Sequence, residues 1–322
     1  MKTKENFRII FMGTPEFAVN SLKLLFENGY QIIAVVTAPD KPSGRGMKVQ
    51  ESAVKKYALE KNFKILQPEN LKNSLFQEEL KNLKADLFVV VAFRMLPESV
   101  WSLPSYGTIN LHASLLPDYR GAAPINRVLM NGEIKTGVTT FFIEKEIDTG
   151  QIIYQEEVEI HPDENAGQLH DRLMITGGNL IVRTVQSILD ETIQPVSQNQ
   201  IISERGNIKS APKIFKEDCE INWHQTTEKI YNFIRGLSPY PTSWFKIYDK
   251  TKNELSFKVF SCQKFYEKHS FQAGKVFSDN KTYLKIAALD GYIYITDIQM
   301  QGKKRMSIND MLNGFDIRPF VL

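Results

Sequence analysis

Apolar residues follow two different rhythms along this chain of 322 residues. In the first half, short and nearly unbroken runs of Val, Ile and Phe alternate with stretches of helical period. "FRIIFMG", "QIIAVVTAP" and "DLFVVVAF" hold too few polar residues to expose one face, so the pattern predicts strands buried on both sides, as in a parallel sheet. Between them, "TPEFAVNSLKLLFENG" and "ESAVKKYALEKN" predict helices, the first with Thr14 as N-cap, Pro15 in its first turn and Gly29 at its end. Strands alternating with helices predict a doubly wound α/β domain.

From about residue 191 to 212 the rhythm fades into a polar, irregular stretch, which predicts a linker between a domain over 1–190 and a second over 213–322. Beyond it a helix, "TTEKIYNFIRGLSP", leads into short alternating segments such as "SWFKIYD", "LSFKVFSCQKF", "YLKIAAL" and "GYIYITDIQM", the pattern of a small β-barrel. The turn after the first strand, "GTPEF", has one Gly where a dinucleotide fingerprint needs three, so no NAD site is expected.

Composition adds little until it is divided. With 42% hydrophobic and 24% charged residues the chain reads as ordinary globular protein. No secretory leader is visible, no run nears the roughly 20 apolar residues that span a bilayer, and the two distant cysteines, Cys219 and Cys262, suit a reducing compartment. A cytoplasmic protein without a membrane partner is expected. The net charge is +3, but residues 208–322 hold 18 Lys plus Arg against 12 Asp plus Glu, while residues 1–207 hold 22 against 25. The basic C-terminal third fits a polyanionic partner or, equally, a solvated surface with excess lysine.

The chemistry concentrates in "TINLHASLLPDYRGAAPINR", residues 108–127. Asn110 and His112 stand two apart on a predicted strand end, which puts both side chains on one face. An amide donor beside an imidazole can stabilise a developing oxyanion while a proton moves. A third candidate, Asp148 in "FFIEKEIDTGQII", sits in a turn after a strand, and a carboxylate that reached His112 would support its charged form. There is no nucleophile motif, no phosphate loop and no clustered His and Cys set, so no metal is expected and direct transfer between two bound substrates is indicated.

These residues, with "RIIFMGTPEFA", "TAPDKPSGRGMK", "IDTGQII" and "INW" followed by "IRGLSPYPTSW", closely resemble the formyltransferases that use 10-formyltetrahydrofolate. The likeness covers essentially the whole chain. It implies a Rossmann-like formyltransferase domain followed by an OB-like β-barrel, with Asn110, His112 and Asp148 catalytic. It also implies folate contacts at Arg94, Met95 and Leu96 and at Ser114, Leu115, Leu116 and Pro117, although "AFRMLP" departs from the family pattern by its length and by Arg94. Among family members the flanking motifs point to those acting on initiator methionyl-tRNA, here expected to work as a monomer. For these, Gly13, Thr14, Pro15, Lys41, Arg45 and Lys48 would meet the aminoacyl end, and a basic barrel with Lys303, Lys304 and Arg305 would hold the tRNA body. Two alternatives stand beside this reading: formylation of a small amine, such as glycinamide ribonucleotide or an amino-sugar nucleotide, and a non-catalytic nucleic-acid-binding protein.

Overall fold

The computed structural model describes residues 2–43, 48–318 and 320. They form two compact units: one comprises residues up to 121 with 136–159 and 170–210, the other 122–135, 160–169 and 211–322.

The elements of the first unit are β1 (Arg8–Gly13), α1 (Glu16–Glu27), β2 (Gln31–Val36), β3 (Lys41–Ser43), β4 (Lys48–Gln50), α2 (Ala53–Glu60), β5 (Ile65–Leu66), α3 (Ser74–Asn82), β6 (Leu87–Val91), α4 (Glu98–Trp101) and β7 (Thr108–His112). The second unit claims α5 (Pro124–Met130), after which come β8 (Lys135–Phe142), β9 (Ile152–Glu159), α6 (Ala166–Leu189) and α7 (Gln198–Arg205). The seven-stranded sheet runs in the order β5-β2-β1-β6-β7-β8-β9. Pairing is parallel from β5 to β7 and antiparallel between β7 and β8.

Residues 9–12 of β1 and all five of β6 are buried, which is why these strands read as unbroken apolar runs. Leu66, Phe76, Leu80 and Val100 pack over Ile10, Met12, Phe88 and Val90 on one face. The strand order reverses between β1 and β6, and the crevice outside the carboxyl ends at such a point is where open α/β sheets bind ligands. Gly13 closes it tightly: a Cβ there would lie 2.7 Å from the Ala18 Cβ and 3.0 Å from the Val91 carbonyl oxygen.

The start of α1 differs from expectation. Pro15, extended at φ −80° and ψ 176°, takes the N-cap position with no side-chain cap, so Thr14 stands one residue too early to cap the helix. The cause is local, because the Pro15 carbonyl already accepts the first helical bond, from the Ala18 N–H at 3.0 Å.

In the second unit, Thr226 caps α8 (Thr227–Leu237) by accepting from the Lys229 N–H. The strands β10 (Ser243–Tyr248), β11 (Glu254–Tyr266), β12 (Val276–Ser278), β13 (Leu284–Ala287) and β14 (Gly291–Met300) follow, then β15 (Met306–Ser307) and α9 (Ile308–Gly314). The antiparallel order is β10-β11-β14-β13-β12, with β15 beside β14. Register shifts around Ser261 bend the long β11, since an extra residue in one strand increases local twist and coiling. The expected barrel is therefore a curled sheet, open between β10 and β12 among the described residues. Its inner face buries Phe245, Phe257, Ile286, Ile293 and Ile295 against Ile230 and Ile234 of α8.

Two segments early in the chain belong to this unit for visible reasons. The Asn126 amide donates to the Gly236 carbonyl at 2.7 Å, the Tyr231 hydroxyl to Asp163 at 2.7 Å, and Arg235 to the Glu164 carbonyl at 3.0 Å. Residues 191–212, expected to be irregular, contain α7, and residues up to 210 group with the first unit. Both cysteines are free and buried, and among the described residues no helix is long and apolar enough to cross a membrane.

Candidate active site

Three of the segments singled out in the sequence follow carboxyl ends of parallel strands. Gly13 ends β1 with Thr14 and Pro15 after it, residues 92–96 follow β6, and His112 ends β7 and opens the turn through Pro117. On β7, Asn110 is half-buried and His112 is buried, two residues apart and therefore on one face. Asn110 lies between Val90 and Phe141, and His112 opposite Thr139.

The His112 ring is held from both sides. Its Nε2 lies 2.8 Å from the Tyr119 carbonyl oxygen. A carbonyl can only accept, so Nε2 carries a proton and donates it. The other nitrogen, Nδ1, stands 3.7 Å from Oδ2 of Asp148. That distance suits an ion pair when the ring is protonated and is too long for a direct hydrogen bond. Thus Nδ1 is the nitrogen free to change protonation, and a carboxylate faces it.

Asp148 is brought there by the connection between β8 and β9. It adopts φ +55°, and its Oδ2 accepts the Gly121 N–H at 2.9 Å. Gln198, only 1% exposed, donates through Nε2 to the carbonyls of Asp148 at 2.9 Å and Gly150 at 2.8 Å. Its Oε1 accepts from Nε and Nη2 of Arg120 at 3.0 and 2.6 Å. Burial pulls the Arg120 guanidinium below its ordinary value, while Asp148 and Glu146 pull it back up.

The turn after His112 is stapled by Thr139. That hydroxyl donates to the Ser114 carbonyl at 2.6 Å and accepts from the Leu116 N–H at 3.1 Å, and Gln155 adds a bond to the Leu116 carbonyl at 2.8 Å. Ser114 spends its hydroxyl on the Asp118 carbonyl at 2.7 Å, and Leu116 is buried against Phe141 and Ile152. These two side chains shape the turn and face no open space.

After β6, Ala92 takes φ +47°, Leu96 joins the core, and Met95 stands 70% exposed. Arg94 donates to the carbonyls of Pro68 and Glu69, so its charge braces the neighbouring loop. The basic loop is framed by the hairpin of β3 and β4, with Lys41 exposed; Arg45 and the Lys48 side chain lie outside the described residues. In the second unit Lys303 and Lys304 are exposed, whereas Arg305 is hydrogen-bonded to Asp297.

Gln198 and the role of Arg120 escape a reading of the sequence. Nothing local marks one Gln in a polar stretch, because its partners lie 48, 50 and 78 residues away. Among the described residues no group of three or more His, Cys, Asp and Glu could hold a metal ion.

Known proteins resemble this chain along its length. A family model described as formyl transferase matches residues 7–185, and one for the formyl transferase C-terminal domain matches 213–316. A methionyl-tRNA formyltransferase of Bacteroides thetaiotaomicron is 50% identical over 312 residues, covering 97% of each chain. One of Flavobacterium johnsoniae is 51% identical over 310 residues, covering 96% of each. Among solved structures, an N-formyltransferase of Helicobacter canadensis, in complex with folinic acid and dTDP-3-aminofucose, superposes with a TM-score of 0.65. It is 23% identical, over 92% of this chain and 99% of its own, a likeness of fold.

Proposed function

Because the chain belongs to the formyl transferase family in both of its matched parts, we propose that it transfers the formyl group of 10-formyltetrahydrofolate to the α-amine of methionine on initiator tRNA, giving N-formylmethionyl-tRNA. It is a formyl-transfer enzyme. The observation that carries the choice of acceptor is identity of about half the residues, end to end, with proteins named methionyl-tRNA formyltransferase.

The site supports this chemistry. The donor supplies an activated formyl carbon; the residues of this chain bind, orient and move protons. As the amine attacks, charge gathers on the formyl oxygen, where the Asn110 amide and the protonated His112 ring can stabilise it. Asp148 faces Nδ1 across an ion-pair distance. As the bond from the formyl carbon to the folate nitrogen breaks, the protonated ring gives its proton to that nitrogen, directly or through a water, and recovers one from the attacking amine, so tetrahydrofolate leaves neutral and the ring is restored. The exposed thioether of Met95, beyond the turn at Ala92, offers an apolar lip suited to a flat folate ring. Lys41 with Arg45 and Lys48, and Lys303 with Lys304, supply positive charge for the tRNA.

The test is direct. Purified protein is incubated with 10-formyltetrahydrofolate and charged initiator tRNA, and in parallel with glycinamide ribonucleotide and an amino-sugar nucleotide, while tetrahydrofolate release and formylated product are followed. Formylated methionyl-tRNA is expected. Product with a small amine alone would replace the acceptor but keep the transfer chemistry; tRNA binding without turnover in any arm would leave only a binding protein.

A further inference from the structure

The bonds that frame Asp148 form a closed circuit around one residue on α7. We infer that Gln198 is a positioning residue for formyl transfer, acting through the backbone of the turn from Asp148 to Gly150. The inference rests on the reading that Asp148 supports His112.

Gln198 is the one fully buried residue in 191–210 among those described, in a stretch that leaves Val196 43% and Ile208 37% exposed. An anchor chosen for packing alone would be apolar. A buried amide is costly unless its hydrogen-bonding groups find partners, and here both of its ends do. Its Nε2 bridges two carbonyls that flank Thr149, and its Oε1 takes two N–H groups of Arg120.

Those carbonyls belong to a turn that needs outside support. Asp148 holds a positive φ, which costs a non-glycine residue on the order of 1 kcal/mol. One donor shared by the carbonyls of residues 148 and 150 fixes the peptide planes that follow Asp148 and Gly150, and with the first of them the direction in which the Asp148 side chain leaves the backbone. The same circuit closes on the other side. Arg120 is held by Gln198, and its neighbour Gly121 donates its N–H to the Asp148 carboxylate. Both ends of the carboxylate's setting therefore depend on one amide. Displacement of a supporting group by about 1 Å suffices to cost on the order of 100-fold in turnover.

Four variants test this in full-length enzyme, with kcat, KM for each substrate and thermal midpoint measured: Gln198→Met, Gln198→Glu, Asp148→Asn and the double variant Gln198→Met with Asp148→Asn. Gln198→Glu keeps the shape and the acceptor for Arg120 but loses both donors, so it carries the test if Gln198→Met does not fold. Either Gln198 variant is expected to lower kcat roughly tenfold to hundredfold, with KM values within about twofold of wild type. In the Asp148→Asn background the Gln198 change should cost little more, because the group it positions is already gone. Wild-type kcat in Gln198→Glu, a loss confined to KM, or an additive loss in the double variant would overturn the inference while leaving the role of Asp148 intact. Full turnover by Asp148→Asn would instead remove the reading beneath it.

Discussion

The Tyr119 carbonyl oxygen sits 2.8 Å from Nε2 of His112 and so decides which ring nitrogen is available for chemistry. Tyr119 itself holds φ +61°, and its N–H donates to the Lys209 carbonyl at 2.6 Å, so the carbonyl is aimed by a backbone braced on a distant segment. Imidazole held in one tautomer, with its second nitrogen toward a carboxylate, is prepared to carry charge without reorganising.

Removing that ring should stop turnover without unfolding the protein. His112→Ala is expected to lower kcat by about 10²–10⁴-fold, and Asn110→Ala by about 10²–10³-fold. Formylation of charged tRNA, measured beside the thermal midpoint, checks both; full activity in His112→Ala would remove it from the reaction.

Gly150 is expected to tolerate no side chain. A Cβ there would stand 1.7 Å from the Phe142 carbonyl oxygen, a backbone atom that cannot swing away. Gly150→Ala should destabilise the first unit by about 1–3 kcal/mol through overpacking, and displace Asp148 so that kcat falls as well. Denaturant unfolding and steady-state kinetics separate the two effects.

Alkaline pH should expose a buried phenol. Burial, and then the charge of Asp190, push the Tyr30 hydroxyl from 10.0 up to about 12, and it donates to Gln186 at 2.9 Å. Because the folded value is the higher one, the fold favours the neutral phenol. Its contribution is complete below about pH 10, the unfolded value, and is lost as pH rises to about 12. Urea midpoints measured across this window should fall less steeply in Tyr30→Phe than in wild type; equal slopes would show that Tyr30 does not report the loss.

Salt should reveal which cations meet tRNA. Lys303→Ala and Lys304→Ala are each expected to weaken tRNA binding and to lower the slope of log affinity against log salt by about 1. Arg305→Ala should change the slope less, because its guanidinium is engaged by Asp297. Binding titrations at several salt concentrations test the ranking, and a larger effect at Arg305 would reverse it.

Much of this protein is legible in short stretches of sequence, for reasons that act over a few residues. Strands buried on both faces must be apolar throughout, so β1 and β6 announce a parallel sheet, and the helical period of the stretches between strands marks α1 and α2. Asn110 and His112 share a face because side chains alternate along any strand. The tertiary structure decides the rest. Whether Asp148 reaches His112 depends on how the connection from β8 to β9 returns, and the Thr14 cap yields to Pro15 once the extended proline is placed. Which carbonyl fixes the His112 tautomer, which cation of the basic segment is already paired, and where residues 122–135 and 160–169 belong all rest on partners many positions away. Local sequence constrains φ, ψ and the face a side chain takes; it does not fix the path of a loop, and the bond from Gln198 to the Asp148 carbonyl, spanning 50 residues, exists only once those paths are set.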